Sequence, residues 1–365
     1  MKKLQKILAI ILVVVISISS LAVTAFAAPQ NKRYSVLVLD VSGSMWGEPL
    51  QELKEAAKKF CEDVLGSSRS KNQIAIVTFE SYVTVESEFT NDLDALTEKI
   101  DNLDDGGSTY LGEGLAKAKE LLDAVDGNVI KNMVVMCDGV PHDTSYAYSV
   151  VEACPLEWNI YSLYFAQDGY SSSAAQVMQT IGRTEYVQVE DGSNVLFDTF
   201  ENTAADVNTY DTNLLVLYIA CPVDVSVTLY GVTLDKYNTE TAFGKMEFED
   251  EGNNGTKKIV TLSYNPDYEI EITGYDEGTM DYSVEYFCND KSLYSVSYPT
   301  VEVSDETVIS TTVDVHDSSI ALNVDGDNDG TIDEEIYPNT SASSIWYKIT
   351  TWFKNLFYAI FGIFG

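Results

Sequence analysis

The sequence predicts two folds in series: an α/β unit on a doubly wound, mostly parallel sheet, then an antiparallel β-sandwich. Three observations predict this. Between Tyr34 and about Asn208, short apolar runs alternate with amphipathic stretches of helical length. Buried parallel strands and the helices that cover them have that pattern. From about Thr212 to Val315 the apolar period falls to two, which fits strands with one buried face. Gly, Asn and Asp punctuate that second region, as the turns of a sandwich require.

Residues 35–39, Ser-Val-Leu-Val-Leu, make the first buried strand. Leu50, Leu53, Ala57, Phe60, Cys61 and Val64 recur at spacings of three and four, which predicts an amphipathic helix. Residues 73–79 and 82–88 read as strands. Residues 92–103 read as a helix that stops before Asp105-Gly106-Gly107. A further helix is expected over residues 111–125. Residues 133–137, 160–166 and 186–189 are strands, and a helix over 195–205 closes the unit. In the second region Val223, Val225, Val227 and Leu229 alternate with polar residues. Ile270 and Ile272 do the same, and so do Tyr282, Val284 and Tyr286.

The ends carry their own signals. Three lysines within Met1–Lys6, an apolar run over residues 7–23 and Ala25-Phe26-Ala27 describe a secretory signal peptide, with cleavage expected after Ala27. A retained membrane anchor is the competing reading. The expected organisation is a leader at 1–27, an α/β head at 33–208 and a sandwich at 212–316. An Asp-rich segment at 319–337, a linker at 338–344 and a tail at 345–365 follow. On a helix the tail aligns Ile345, Ile349, Trp352, Phe353, Leu356, Ile360 and Phe364 on one broad face. An amphipathic helix lying in a membrane surface is expected there, ahead of a spanning anchor.

The formal net charge is −35, and the leader contributes only basic residues. Such a chain repels phosphate backbones, which excludes nucleic acid as a partner class. The same charge gathers divalent cations. Five cysteines, an odd number with no C-x-x-C, exclude a dense disulfide framework. Cys61 and Cys137 sit in apolar patterns and read as buried small hydrophobes. Cys221 and Cys288 are the candidate pair in the strand-rich region. The sole imidazoles are His142 and His316, and no G-x-S-x-G occurs. No catalytic residue is assigned, and a hydrolase is the weaker alternative.

Asp40-Val41-Ser42-Gly43-Ser44 follows the first strand directly, and Asp138 follows the strand at 133–137. Open parallel sheets bind ligands at the carboxyl ends of their strands. Carboxylates and hydroxyls gathered there suit a small hard cation, Mg²⁺ or Mn²⁺. Thr109 lies in a loop whose Gly106 and Gly107 permit close approach. An ordinary Asp-Ser turn capping a helix near Pro49 is the plainer reading of the first segment. It leaves Thr109 and its glycines unexplained.

Three pieces together resemble the metal-ion-dependent adhesion site of von Willebrand factor type A domains. They are Asp40-x-Ser42-x-Ser44, Gly107-Ser108-Thr109-x-Leu111-x-x-Gly114-Leu115 and Cys137-Asp138-Gly139. The resemblance covers residues 33–205. It implies that Ser42 and Ser44 ligate the metal directly, and Thr109 directly or through water. Asp40 and Asp138 would act largely through water. It also implies a protein ligand that presents Asp or Glu, with Met45, Trp46, Tyr110 and His142 reading the ligand's surroundings. The last helix, 195–205, would be the moving element. The expected function is an extracellular, metal-dependent binding or adhesion module, secreted or held at a bacterial surface. The alternative is a structural cell-envelope protein whose contacts need no metal.

A second candidate site lies near the C-terminus. Asp325, Asp327, Asp329, Thr331 and Asp333 occupy positions 1, 3, 5, 7 and 9 of an EF-hand-like loop, with Gly330 at position 6. Ile336 stands at position 12, where it cannot ligate. Calcium binding is expected, against a solvated acidic linker.

Overall fold

A computed structural model describes residues 32–66, 72–166, 171–190, 195–209, 212–220, 222–250, 256–265, 267–289, 291–314 and 320–339. The leader, the 345–365 tail, most of the linker and Cys221 lie outside the described residues, so the Cys221–Cys288 pairing does too.

The head follows the predicted alternation. Its elements are β1 (Arg33–Asp40), α1 (Glu48–Gly66), β2 (Gln73–Phe79), β3 (Val83–Thr90), α2 (Leu93–Asp101) and α3 (Leu111–Asp123). There follow β4 (Ile130–Cys137), α4 (Thr144–Glu152), β5 (Asn159–Ala166), α5 (Ser172–Ile181), β6 (Glu185–Glu190) and α6 (Val195–Thr209). The sheet order is β3-β2-β1-β4-β5-β6, and every pairing is parallel except β2 with β3. Alternate residues of β1 therefore feed two cores. Leu37 and Leu39 pack with Leu53 and Phe60 of α1, Leu96 of α2 and Phe200 of α6. Val36 and Val38 pack with Leu115 of α3, Val150 of α4 and Met178 of α5. The sequence pattern misses α4 and α5. Both are short; α4 mixes small and aromatic residues, while α5 carries a stripe, Ala174, Val177, Met178 and Ile181, that the sequence reading passes over.

The second region is antiparallel throughout and forms two facing six-stranded sheets. One sheet holds β7 (Leu214–Ile219), β10 (Glu240–Thr241), β11 (Gly244–Asp250), β12 (Thr256–Ser263), β15 (Tyr282–Cys288) and β16 (Lys291–Ser297). The other holds β8 (Val223–Leu229), β9 (Val232–Leu234), β13 (Glu269–Gly274), β18 (Val308–Thr311), β19 (Leu322–Asp325) and β20 (Glu334–Ile336). The pair β14 (Gly278–Met280) and β17 (Val301–Val303) stands apart. Leu215, Leu217 and Val284 of the first sheet meet Val225, Val227 and Ile272 of the second in one core. The Asp-rich stretch is the loop of the β19–β20 hairpin, which pairs onto β18 and so belongs to this sheet.

Buried polar groups join head and sandwich. The Arg183 guanidinium, fully enclosed, donates to the carbonyls of Cys154, Pro155 and Trp158 in the head and of Ala242 in the sandwich. Asn265 Nδ2 returns a bond to the Arg183 carbonyl at 3.0 Å, and Asn213 Nδ2 reaches the Glu157 carbonyl at 2.7 Å. Among the described residues no helix is long and apolar enough to cross a membrane.

Candidate metal centre

Chain direction across the sheet reverses between β1 and β4, and a crevice opens at the carboxyl ends of such a strand pair. Asp40 is the last residue of β1, and Asp138 follows the last residue of β4. Leu39 pairs with Met136, so the register sets Asp40 beside Cys137. Asp40 is fully buried. Its Oδ1 accepts the Ser42 N–H at 2.8 Å. Its Oδ2 accepts the Cys137 thiol at 3.1 Å and the Asp138 N–H at 3.4 Å.

A single 3-10 turn, Gly43–Met45, carries the serines. Met45 is wholly buried and anchors that turn, so it is not part of the exposed surface expected from the sequence. Its N–H donates to the Ser42 carbonyl at 2.9 Å. The Ser42 and Ser44 hydroxyls then lie 3.1 Å apart. The Thr109 loop is laced by backbone bonds to this turn, to Val41 before it and to Glu80 after β2. Gly43 N–H meets Gly107 O at 3.2 Å, Gly106 N–H meets Val41 O at 2.9 Å, and Tyr110 N–H meets Glu80 O at 3.1 Å. His142 N–H donates to Thr109 O at 2.8 Å and ties in the loop after β4. Asp40, Ser42, Ser44, Thr109 and Asp138 thus sit on segments drawn to one strand edge.

The electrostatics follow from crowding. Burial raises the Asp40 carboxyl above its ordinary range, against the pull of its three donors. Burial, then repulsion from Asp40, pushes Asp138 up to about 7, while the Ser44 hydroxyl acts the other way. Burial first, and Asp40 second, keep Cys137 a thiol that donates to the carboxylate. The donor set is two carboxylates and three hydroxyls, all oxygen, with no nitrogen or thiolate ligand. A small hard cation takes such ligands and keeps some waters. It would also offset the repulsion between two carboxyls that share one site. On both counts these residues fit Mg²⁺ or Mn²⁺.

Two contributors escape a reading of the sequence. Cys137 is as buried as expected, yet it also holds Asp40, which only the β1–β4 register reveals. Gly43 lies so close to the Thr109 loop that a Cβ there would sit 3.3 Å from Gly107 O.

Residues 35–140, the span from β1 through the Asp138 loop, match the family profile described as the von Willebrand factor type A domain. Over that span the head is similar to the von Willebrand factor type A domain. The chain is 28% identical over 134 residues to the inter-alpha-trypsin inhibitor heavy chain H2 of Sus scrofa, covering 32% of this chain and 14% of that protein. It is 24% identical over 210 residues to heavy chain H1 of the same species, covering 52% and 23%. The chain therefore spans less than a quarter of the length of these curated relatives. Among solved structures, a von Willebrand factor type A protein from Catenulispora acidiphila aligns with a TM-score of 0.53 at 13% identity, covering 73% of this chain and 66% of that one. That likeness establishes the fold.

The Asp-rich loop, in the β19–β20 hairpin of the sandwich, has its own geometry. Carboxylate oxygens of Asp325, Asp327 and Asp333 lie within 4.8 Å of one another. Asp325 is buried and accepts the N–H groups of Asp329 and Gly330 at 3.2 and 2.9 Å. Asp333 Oδ2 accepts the Gly326 N–H at 2.8 Å. Asp329 Oδ1 accepts the Thr331 N–H at 2.8 Å, and the Asp329 carboxylate is not one of that group of three.

Proposed function

We propose that the type A head is a non-catalytic module for protein contact, and that its contact at the β1–β4 edge depends on a divalent cation. One observation carries this: Asp40, Ser42, Ser44, Thr109 and Asp138 stand on three segments laced together where the strand order reverses. Ser42, Ser44 and Thr109 would supply hydroxyl ligands, with Asp40 and Asp138 balancing the charge around them. A cation bound there supplies a coordination position for a carboxylate oxygen from the partner. The chain's own work is orientation: the Cys137 thiol and two backbone N–H groups hold Asp40, and the Gly43–Gly107 contact holds the Thr109 loop. The leader supports secretion or surface display.

A second reading is a structural contact module that needs no metal. Asp40 favours it, because protein donors already engage both its oxygens, and burial, which raises its carboxyl above the ordinary range, opposes its charge. Calorimetry decides between the two. Under the metal reading the full chain binds one Mn²⁺ or Mg²⁺ at this edge, and Asp40→Ala abolishes binding while far-UV circular dichroism stays unchanged. Unchanged affinity in Asp40→Ala leaves the structural reading. For the β19–β20 loop we propose a calcium site built on Asp325, Asp327 and Asp333, with Asp329 and Thr331 as adjacent loop oxygens.

A further inference from the structure

The loops that frame the metal centre share a composition that metal ligation does not require. Residues 41–49, 80–82, 103–113 and 138–146 contain no Lys or Arg. They carry Glu48, Glu80, Asp104, Asp105, Glu113 and Asp143 besides Asp138. The exposed apolar residues are nearly as one-sided. Among the described residues of the head, the exposed large apolar side chains are Trp46, Tyr82, Tyr110, Val140, Tyr146 and Val195. Trp46, Tyr82, Tyr110 and Val140 lie in the loops that follow β1, β2 and β4 or that pack against them, Tyr146 stands in the first turn of α4, and Val195 begins α6 after β6, toward the other side of the sheet. Trp46 and Tyr82 are each 78% exposed. Tyr110 stacks on His142 with centroids 5.5 Å apart and planes 18° apart, which makes one flat plate beside Thr109.

Scattered exposed apolar residues need no explanation, but a cluster ringed by one sign of charge marks a contact surface. We infer that this edge selects a protein segment in which the metal-seeking Asp or Glu is flanked by Lys or Arg and by an aromatic or aliphatic residue. The inference rests on the metal-dependent reading of the site. The acidic loops repel any further carboxylate near the one the cation takes, and they attract a neighbouring cationic side chain. An Arg or Lys there also finds the faces of Trp46, Tyr82 and the Tyr110 plate, which attract cations. The apolar flank of the segment covers the exposed rings. A uniformly acidic segment satisfies the cation and nothing else.

The test is selection of a random displayed-peptide library on the full chain in Mg²⁺, with elution by chelator. Chelator-eluted clones are expected to carry Asp or Glu with Lys or Arg within two positions and an apolar neighbour. For one such peptide, Trp46→Ser with Tyr82→Ser should weaken binding about tenfold or more, as loss of aromatic anchors does. Asp104→Asn with Asp105→Asn should weaken it several-fold and flatten its salt dependence. Mn²⁺ affinity by calorimetry should stay within about threefold in both variants, since neither removes a metal ligand. Chelator-eluted clones with carboxylates but no basic enrichment overturn the inference and leave the metal centre standing. So does an absence of enriched clones while Mn²⁺ still binds. Basic, apolar clones that chelator fails to release overturn the metal-dependent reading and this inference with it. A Mg²⁺-dependent dimer that Trp46→Ser dissociates assigns the edge to a second copy of the chain instead.

Discussion

Asp138 shows how crowding at a site shifts a single side chain. Its carboxyl titrates near 7 because burial and the neighbouring Asp40 both oppose its charge. An unfolded Asp titrates near 3.9. Without metal, the folded chain therefore holds this proton more tightly than the unfolded chain. The contribution to stability is fully present below pH of about 4 and is lost as pH rises through about 7. Asp40 is shifted in the same direction. A divalent cation needs both groups ionised, so its stabilisation should grow over that same window. Melting measured with Mg²⁺ and with chelator should differ little at pH 5 and by several degrees at pH 8. A gap that stays constant with pH, or narrows, would remove these carboxyls from the metal's environment.

At the scale of elements, the α/β head was legible from hydrophobic periodicity. Strands at the β1, β2, β4 and β5 positions are mostly apolar runs, β6 alternates, and Asp40 and Asp138 are polar residues placed where the β1 and β4 runs stop. Three segments of the site could be named because each holds its chemistry locally. Their meeting could not be read, because it depends on loop-to-loop bonds such as Gly43 to Gly107. The helices α4 and α5 were missed for another reason: at nine and ten residues each spans under three turns, and only α5 keeps a helical period, on Ala174, Val177, Met178 and Ile181. Gly107 is where loop geometry and site meet. Its φ is +69°, and a Cβ would lie 1.8 Å from Glu80 Oε2 and 2.5 Å from Ser81 Oγ. Gly107→Ala should cost about 1–2 kcal/mol of stability, from left-handed backbone and displaced side chains. It should also weaken Mn²⁺ binding about tenfold or more by shifting Thr109; melting and calorimetry read the two effects separately. The β19–β20 loop invites a parallel test. Ca²⁺ should slow proteolysis between Gly326 and Asp333, and Asp325→Asn with Asp327→Asn should abolish the effect. Equal cleavage in calcium and chelator would leave a hairpin loop that caps its own turn.

Across the whole molecule, the question is what couples the head to the sandwich. Arg183 answers part of it: a cation with carbonyl acceptors from both sides is costly to expose or to separate from them. Its burial lowers its pKa to about 10, so it stays charged under ordinary conditions. The Asn213 and Asn289 side-chain amides donate hydrogen bonds across the same seam, to the Glu157 carbonyl and to Asn128 Oδ1. Glu185, the first residue of β6, works against the seam. Burial first, then repulsion from Asp206 in α6 and from Asp267 in the sandwich, pushes its carboxyl up to about 7. The sign matches that of Asp138: stability is present below the unfolded pKa of about 4.3 and is lost as pH rises through about 7. The cause is different, since Glu185 is no metal ligand and one of its repelling partners belongs to the other fold. Glu185→Gln should therefore raise the melting temperature at pH 8, leave it nearly unchanged at pH 4, and do so equally in Mg²⁺ and in chelator. If the variant melts as the parent does at pH 8, the like charges across the seam carry no net cost. If its effect depends on Mg²⁺, the junction and the metal edge are linked through the sheet that β6 shares with β1 and β4.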